Sequence, residues 1–137
     1  VSPVIRVVGL VHVEDGRLLV VRARHQGAFY LPGGKLEPGE TEQEALHREV
    51  REELLVGIVD GSVRQLGRYR APAYGEGPDT VVDMACYFGV LDGSPEPAAE
   101  IAELTMVTEG EYAAHPETAP AIRLLLRDLA EAGTVHA

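Results

Sequence analysis

The sequence predicts one layered α/β domain spanning residues 1–137, and three observations carry that expectation. A length of 137 residues with 45% apolar composition is enough for a single real core. Segments of period-two apolar alternation are interleaved with segments of helical period. Two Thr-x-x-Glu capping boxes, at Thr41 and Thr108, open helices between strands.

The elements follow in order. VIRVVGLVHV (4–13) puts Ile5, Val7, Val11 and Val13 on one face of a strand. Asp15-Gly16 then turns the chain into the apolar LLVV (18–21), a hairpin signal. A short FYL (29–31) precedes PGGKLEPGE (32–40), whose Pro and Gly content predicts a loop. The Thr41 box opens a helix over about 42–55, with Leu46, Val50 and Leu54 as its buried stripe. Strands are expected near 63–70, 80–91 and 104–107, the second carrying Val82, Met84, Cys86, Phe88 and Val90 on one face. The Thr108 box opens a short helix. Thr118 begins a longer one, with Ile122, Leu125, Leu126 and Leu129 as its stripe and Gly133 ending it.

Charge and composition narrow the function. A formal net charge of −10 opposes binding to a polymeric nucleic acid through bulk electrostatics, so a phosphate ligand needs locally placed cations. The single Cys86 has no internal disulfide partner and sits among apolar residues, which predicts a buried core thiol. No apolar run of membrane-spanning length and no signal-like start appear, so the expected location is cytoplasmic, with no membrane partner.

One stretch breaks local rules. In REVREEL (48–54), Glu49, Glu52 and Glu53 are spaced i, i+3 and i+4 and share an arc of roughly 100°. Glu49 and Glu53 form a like-charge pair costing about 0.2–0.5 kcal/mol on an isolated helix. They also lie late in the helix, where the macrodipole disfavours anions. A neutralising cation explains the crowding. Three carboxylates on one face give hard oxygen donors without a complete protein cage. That suits Mg²⁺, which keeps waters and shares its shell with phosphates; Mn²⁺ is a substitute. The simpler alternative is a solvated helix face, with Arg48 paired to Glu44 and Glu52.

Residues 34–56, GKLEPGETEQEALHREVREELLV, run Gly34, five residues, Glu40, seven residues, Arg48-Glu49-Val50, one residue, Glu52-Glu53, one residue, Leu55-Val56. This stretch resembles the box of the Nudix (MutT-like) hydrolases, matching every defined position except the last glycine, where Leu55 stands. The departure predicts a helix continuing to a cap at Gly57, in which case Leu55→Gly would cost about 1 kcal/mol.

The resemblance implies an α/β/α sandwich with a mixed central sheet. It implies Glu49, Glu52 and Glu53 as catalytic metal ligands with the Gly33 carbonyl, and Gly34, Glu40 and Arg48 as structural members of the motif, Glu40 pairing with Arg48. A later acid often joins such a site, and Glu100 and Glu103 are the candidates. Arg22 and Arg24, on one face of the second strand, and Tyr87 are candidates for substrate binding, and Phe29, Tyr30, Tyr69 and Tyr74 for stacking on a base. The implied reaction is Mg²⁺-dependent hydrolysis of the pyrophosphate in a nucleoside diphosphate linked to another group. Pro72, 16 residues beyond Val56, resembles the placement in enzymes acting on ADP-ribose. The alternatives are a nucleoside triphosphate pyrophosphohydrolase and a nucleotide sensor without turnover. The expected partner is a small-molecule nucleotide, and a homodimer is compatible with this reading.

Overall fold

The computed structural model describes residues 3–137; Val1 and Ser2, the start of the expected domain, lie outside the described residues. Strands β1 (Val4–Val11), β2 (Val13–Glu14), β3 (Arg17–Ala23) and β4 (Gly33–Lys35) precede helix α1 (Glu42–Leu54). Strands β5 (Arg64–Pro72), β6 (Val81–Phe88) and β7 (Ile101–Val107), then helices α2 (Glu109–Ala113) and α3 (Pro120–Glu131), complete the chain. A mixed four-stranded sheet runs β4-β1-β6-β5, with β1 parallel to β6 and the other pairs antiparallel. A three-stranded antiparallel sheet runs β2-β3-β7.

Alternation along β1 and β6 divides the core between two faces of the mixed sheet. Val8, Leu10, Ala85 and Tyr87 pack under α1, against Ala45, Leu46, Val50 and Leu54. Val11, Met84 and Cys86 pack on the opposite face, against Ile122, Leu125, Leu126 and Leu129 of α3. The result is the expected α/β/α sandwich with a mixed central sheet. Cys86 is fully buried in it, and burial pushes its thiol up to about 12, in keeping with a core thiol. Among the described residues, no helix is long and apolar enough to cross a membrane.

Turn and cap chemistry act as expected. Asp15 and Gly16 both take positive φ (51° and 73°), as a two-residue hairpin matching strand twist requires. At both capping boxes the threonine side chain accepts the N3 amide and the N3 glutamate accepts the threonine amide. The long helix starts later than expected, at Pro120, with no side-chain cap. Proline at the first turn lacks only an N–H that has no intrahelical partner there. The apolar row of β6 stops at Phe88, the partner of Val11, and Val90 beyond it is 52% exposed. Residues 29–31 form only an isolated bridge, Tyr30 to Val21.

Two expectations are corrected. Residues 33–35 are a strand rather than loop, paired with β1 in the register Val7–Lys35, Val8–Gly34 and Gly9–Gly33. Gly33 adopts φ 149°, and a Cβ there would strike the Val8 carbonyl, so the pairing needs glycine. The helix also ends at Leu54 and does not reach Gly57. Leu55 itself takes the left-handed cap conformation (φ 58°, ψ 22°) and donates its N–H to the Arg51 carbonyl. Gly57 is kept small by close approach instead: its N–H donates to Asp92 Oδ1 at 2.8 Å, and a Cβ would meet Asp92 Oδ2 at 2.7 Å.

The stability effect at position 55 therefore reverses sign. A left-handed conformation costs an L-residue about 1–2 kcal/mol, and Leu55 is 56% exposed, so little burial is lost with its side chain. Leu55→Gly is expected to stabilise the chain by about 1 kcal/mol in urea unfolding. A lower unfolding midpoint would contradict this cap assignment.

Candidate active site

The sandwich brings one end of α1 against β4 and the start of β7. Glu53 lies on the buried face of α1 at 5% exposure, and its carboxylate accepts the Gly33 N–H at 2.9 Å. Burial, reinforced by the charges of Glu49, Glu100 and Glu52 and opposed by the Gly33 bond, pushes its pKa up to about 8. Glu49, one turn earlier, is also raised, first by burial, although Arg48 Nη1 donates to it at 2.7 Å. A Cβ on Gly34 would come within 2.8 Å of the Glu49 carboxylate, so the bare glycine makes room for it.

The third carboxylate, Glu100, comes from 46 residues beyond the end of the helix at Leu54. Carboxylate oxygens of Glu49, Glu53 and Glu100 lie within 4.8 Å of one another. A register shift between Arg22 and Ala23 pairs Arg22 with Glu103 and Ala23 with Ile101. This bulge resets the side-chain alternation, burying Ile101 and leaving Glu100 beside the helix acids. Glu103 lies in the ladder, where it accepts Arg22 Nε at 2.7 Å.

Of the acids singled out in the sequence, the structure thus gathers Glu49, Glu53 and Glu100. Glu52 is exposed at the rim, 3.4 Å from Arg48. Gly33 meets the cluster through its N–H. Arg48 forks onto Glu40 at 2.6 and 2.9 Å and also donates to the Lys35 carbonyl, tying the 35–40 segment to α1. That fork, with the Glu37 N–H, holds the Glu40 carboxyl down to about 2. The two candidate substrate arginines are engaged elsewhere: Arg22 also donates to the Ala23 and Gln26 carbonyls, and Arg24 to Ala99. Tyr87 donates to Glu42 on the α1 face of the sheet.

A cleft of about 360 Å³ opens beside the cluster, with Gly33, Gly34, Glu53 and Glu100 among its lining residues. Its walls are apolar, from Val7, Val21, Met84 and Ile122, with Tyr30 and Tyr74 also lining it. Phe29 and Tyr69 are placed otherwise, Phe29 buried edge-on to His115 and Tyr69 bonded to Asp128. Sequence reasoning missed Lys35, the one lysine of the chain, which lines the cleft beside Gly34. Its neighbour glycines were the available signal, because a backbone free of side chains leaves the adjacent cation room near a ligand.

Three hard oxygen donors in so small a space, one with its pKa raised by burial and then by like charges, fit a divalent cation such as Mg²⁺. The family model for the NUDIX domain matches residues 3–129, and the chain belongs to the Nudix (MutT-like) hydrolase family. It is 43% identical over 63 residues to the RNA pyrophosphohydrolase of Halorhodospira halophila, over 43% of this chain and 35% of that protein. It is 38% identical over 72 residues to the ADP-ribose pyrophosphatase of Methanocaldococcus jannaschii, over 51% of this chain and 41% of the relative. The match thus spans well under two thirds of either relative's length. Among solved structures, the solution structure of the E. coli ORF135 protein superposes with a TM-score of 0.73 at 25% identity, covering 99% of this chain and 96% of that one.

Proposed function

We propose that this chain is a pyrophosphohydrolase that cleaves a nucleoside diphosphate linked to another group, with Mg²⁺ as its cofactor and Mn²⁺ as a substitute. The observation that carries this reading is the Glu49–Glu53–Glu100 cluster, two of whose members, Glu53 and Glu100, line an apolar cleft sized for a nucleoside. Glu49, Glu53 and Glu100 would hold the ion, with Glu52 within reach at the rim. When bound, Mg²⁺ neutralises charge on the pyrophosphate, polarises a phosphoryl oxygen and acidifies water. Gly33 and Gly34 keep the backbone clear for the phosphates, and Lys35 supplies a cation to an anionic substrate in an acidic protein. Tyr30 and Tyr74 offer faces for a base, and the apolar walls exclude water around it. The proton of the attacking water passes to a carboxylate of the cluster, Glu53 and Glu100 being the candidates. Arg48 with Glu40 holds the glycine-bearing segment against α1.

An ADP-ribose-like substrate is favoured. Pro72 lines the cleft, and the relative from Methanocaldococcus jannaschii is an ADP-ribose pyrophosphatase. The deciding experiment incubates the chain and Mg²⁺ with ADP-ribose, nucleoside diphosphate sugars, dinucleoside polyphosphates and nucleoside triphosphates, and separates products by chromatography. AMP with ribose 5-phosphate is expected from ADP-ribose. Release of pyrophosphate from triphosphates alone would move the assignment to a triphosphate pyrophosphohydrolase, and no turnover of any compound would leave a sensor.

A further inference from the structure

Glu100 reaches the helix acids from a turn whose shape is held by backbone bonds. Glu96 N–H donates to the Leu54 carbonyl at 3.0 Å and Ala98 N–H to the Glu53 carbonyl at 2.9 Å, so the segment caps the end of α1. The next residue, Ala99, sits at φ 54°, a conformation that a residue with a Cβ holds only when its surroundings impose it. Those surroundings include Arg24. Its guanidinium donates to the Ala99 carbonyl at 2.5 Å, and its backbone N–H donates to the Glu100 carbonyl at 2.9 Å.

These two bonds act on different peptide planes. The Ala99 carbonyl belongs to the plane before the Glu100 Cα, and the Glu100 carbonyl to the plane after it. With both planes tied to one residue, the φ and ψ of Glu100 are fixed, and with them the direction of its Cα–Cβ bond. That direction places the carboxylate with those of Glu49 and Glu53. In a chain with 22 acidic residues, the Arg24 side chain is engaged by a backbone carbonyl instead.

We infer that Arg24 is a positioning residue, which clamps the Ala99–Glu100 turn so that Glu100 completes the carboxylate cluster. This rests on the reading of that cluster as a divalent-metal site. Arg24 acts through Glu100 and leaves the substrate to other groups.

The test measures Mn²⁺ binding, with no nucleotide present, to the parent chain and to Arg24→Ala, Arg24→Lys and Glu100→Gln. Melting temperature in chelator and kcat and KM in Mn²⁺ are read alongside. Loss of a residue that orients a ligand typically weakens metal affinity about tenfold or more. Arg24→Ala is expected to weaken Mn²⁺ binding about tenfold and to lower kcat with KM little changed, in the same direction as Glu100→Gln. Arg24→Lys, which keeps a cationic donor for the Ala99 carbonyl, is expected to recover most of the affinity. Parent-like Mn²⁺ affinity in Arg24→Ala beside a weakened Glu100→Gln would overturn the clamp alone. Parent-like affinity in both would remove Glu100 from the metal site and the clamp with it. A raised KM with unchanged Mn²⁺ affinity would assign Arg24 to the substrate and overturn the inference.

Discussion

Glu53→Gln is expected to cut turnover by roughly 10² to 10⁴ while leaving the metal-free protein as stable as the parent at low pH and more stable at alkaline pH. Activity falls because the substitution removes either the positioned base or a ligand charge from the cluster. Stability moves the other way. The folded-state pKa of Glu53 lies at about 8, above the usual carboxylate value of 4.5. The folded chain therefore keeps a proton that the unfolded chain releases between those values. Its stabilising contribution is fully present below about pH 4.5 and is lost as pH rises through about 8. Glutamine holds no ionisable proton and keeps an oxygen to accept the Gly33 N–H, so the variant is expected to lack this decline. Melting curves in chelator from pH 5 to pH 9, with turnover in Mg²⁺, read both effects. A solvated glutamate would leave turnover and stability within about 0.5 kcal/mol of the parent. Unchanged turnover would remove Glu53 from the chemistry.

Excess chelator is expected to abolish turnover of the native chain and leave its fold intact. The two packed faces of the sheet are built largely from aliphatic and aromatic side chains that, among the described residues, pack against one another without the carboxylate cluster, so far-ultraviolet circular dichroism should be unchanged. Mg²⁺ should restore activity and Mn²⁺ should substitute. The ion should also raise the melting temperature most at alkaline pH, where the metal-free cluster is most charged, because binding to the folded state stabilises it by mass action. Full turnover in excess chelator would contradict a metal-dependent reaction.

The sequence made some of this legible because certain elements carry their own periodic or chemical signature. Asp15-Gly16, the boxes at Thr41 and Thr108, and the apolar rows of β6 and α3 each state a local preference that the packing agrees with. Strand β4 carried no such signature. Gly33 and Gly34 present no side chains to alternate, and their pairing with β1 comes from backbone access at the Val8 carbonyl. Leu55 misled for a different reason: a leucine in the left-handed region runs against propensity, and the contact constraining Gly57 comes from Asp92, 35 residues away.

The same division holds at the site. Glu49 and Glu53 were marked by helical spacing, and the Arg48–Glu40 fork by the motif. Choosing between Glu100 and Glu103 was beyond the sequence, because a bulge at Arg22–Ala23 and the backbone tethers of residues 96–100 decide which acid lies beside Glu49 and Glu53. The carboxylate and carbonyl partners of Arg22 and Arg24 are distant in sequence, so the sequence did not show these contacts.

Binding of a divalent cation by Glu49, Glu53 and Glu100, of which Glu53 is buried, is tested most directly by proton-linked calorimetry. Mg²⁺ or Mn²⁺ is titrated into the metal-free chain near pH 7 in buffers of differing ionisation enthalpy. Glu53, with its pKa near 8, is largely protonated there and must release its proton to act as a ligand. The expected result is saturable binding accompanied by release of about one proton per ion, with the release lost in Glu53→Gln. Absence of saturable binding, or binding with no proton release, would contradict the assignment of Glu53 to the metal site.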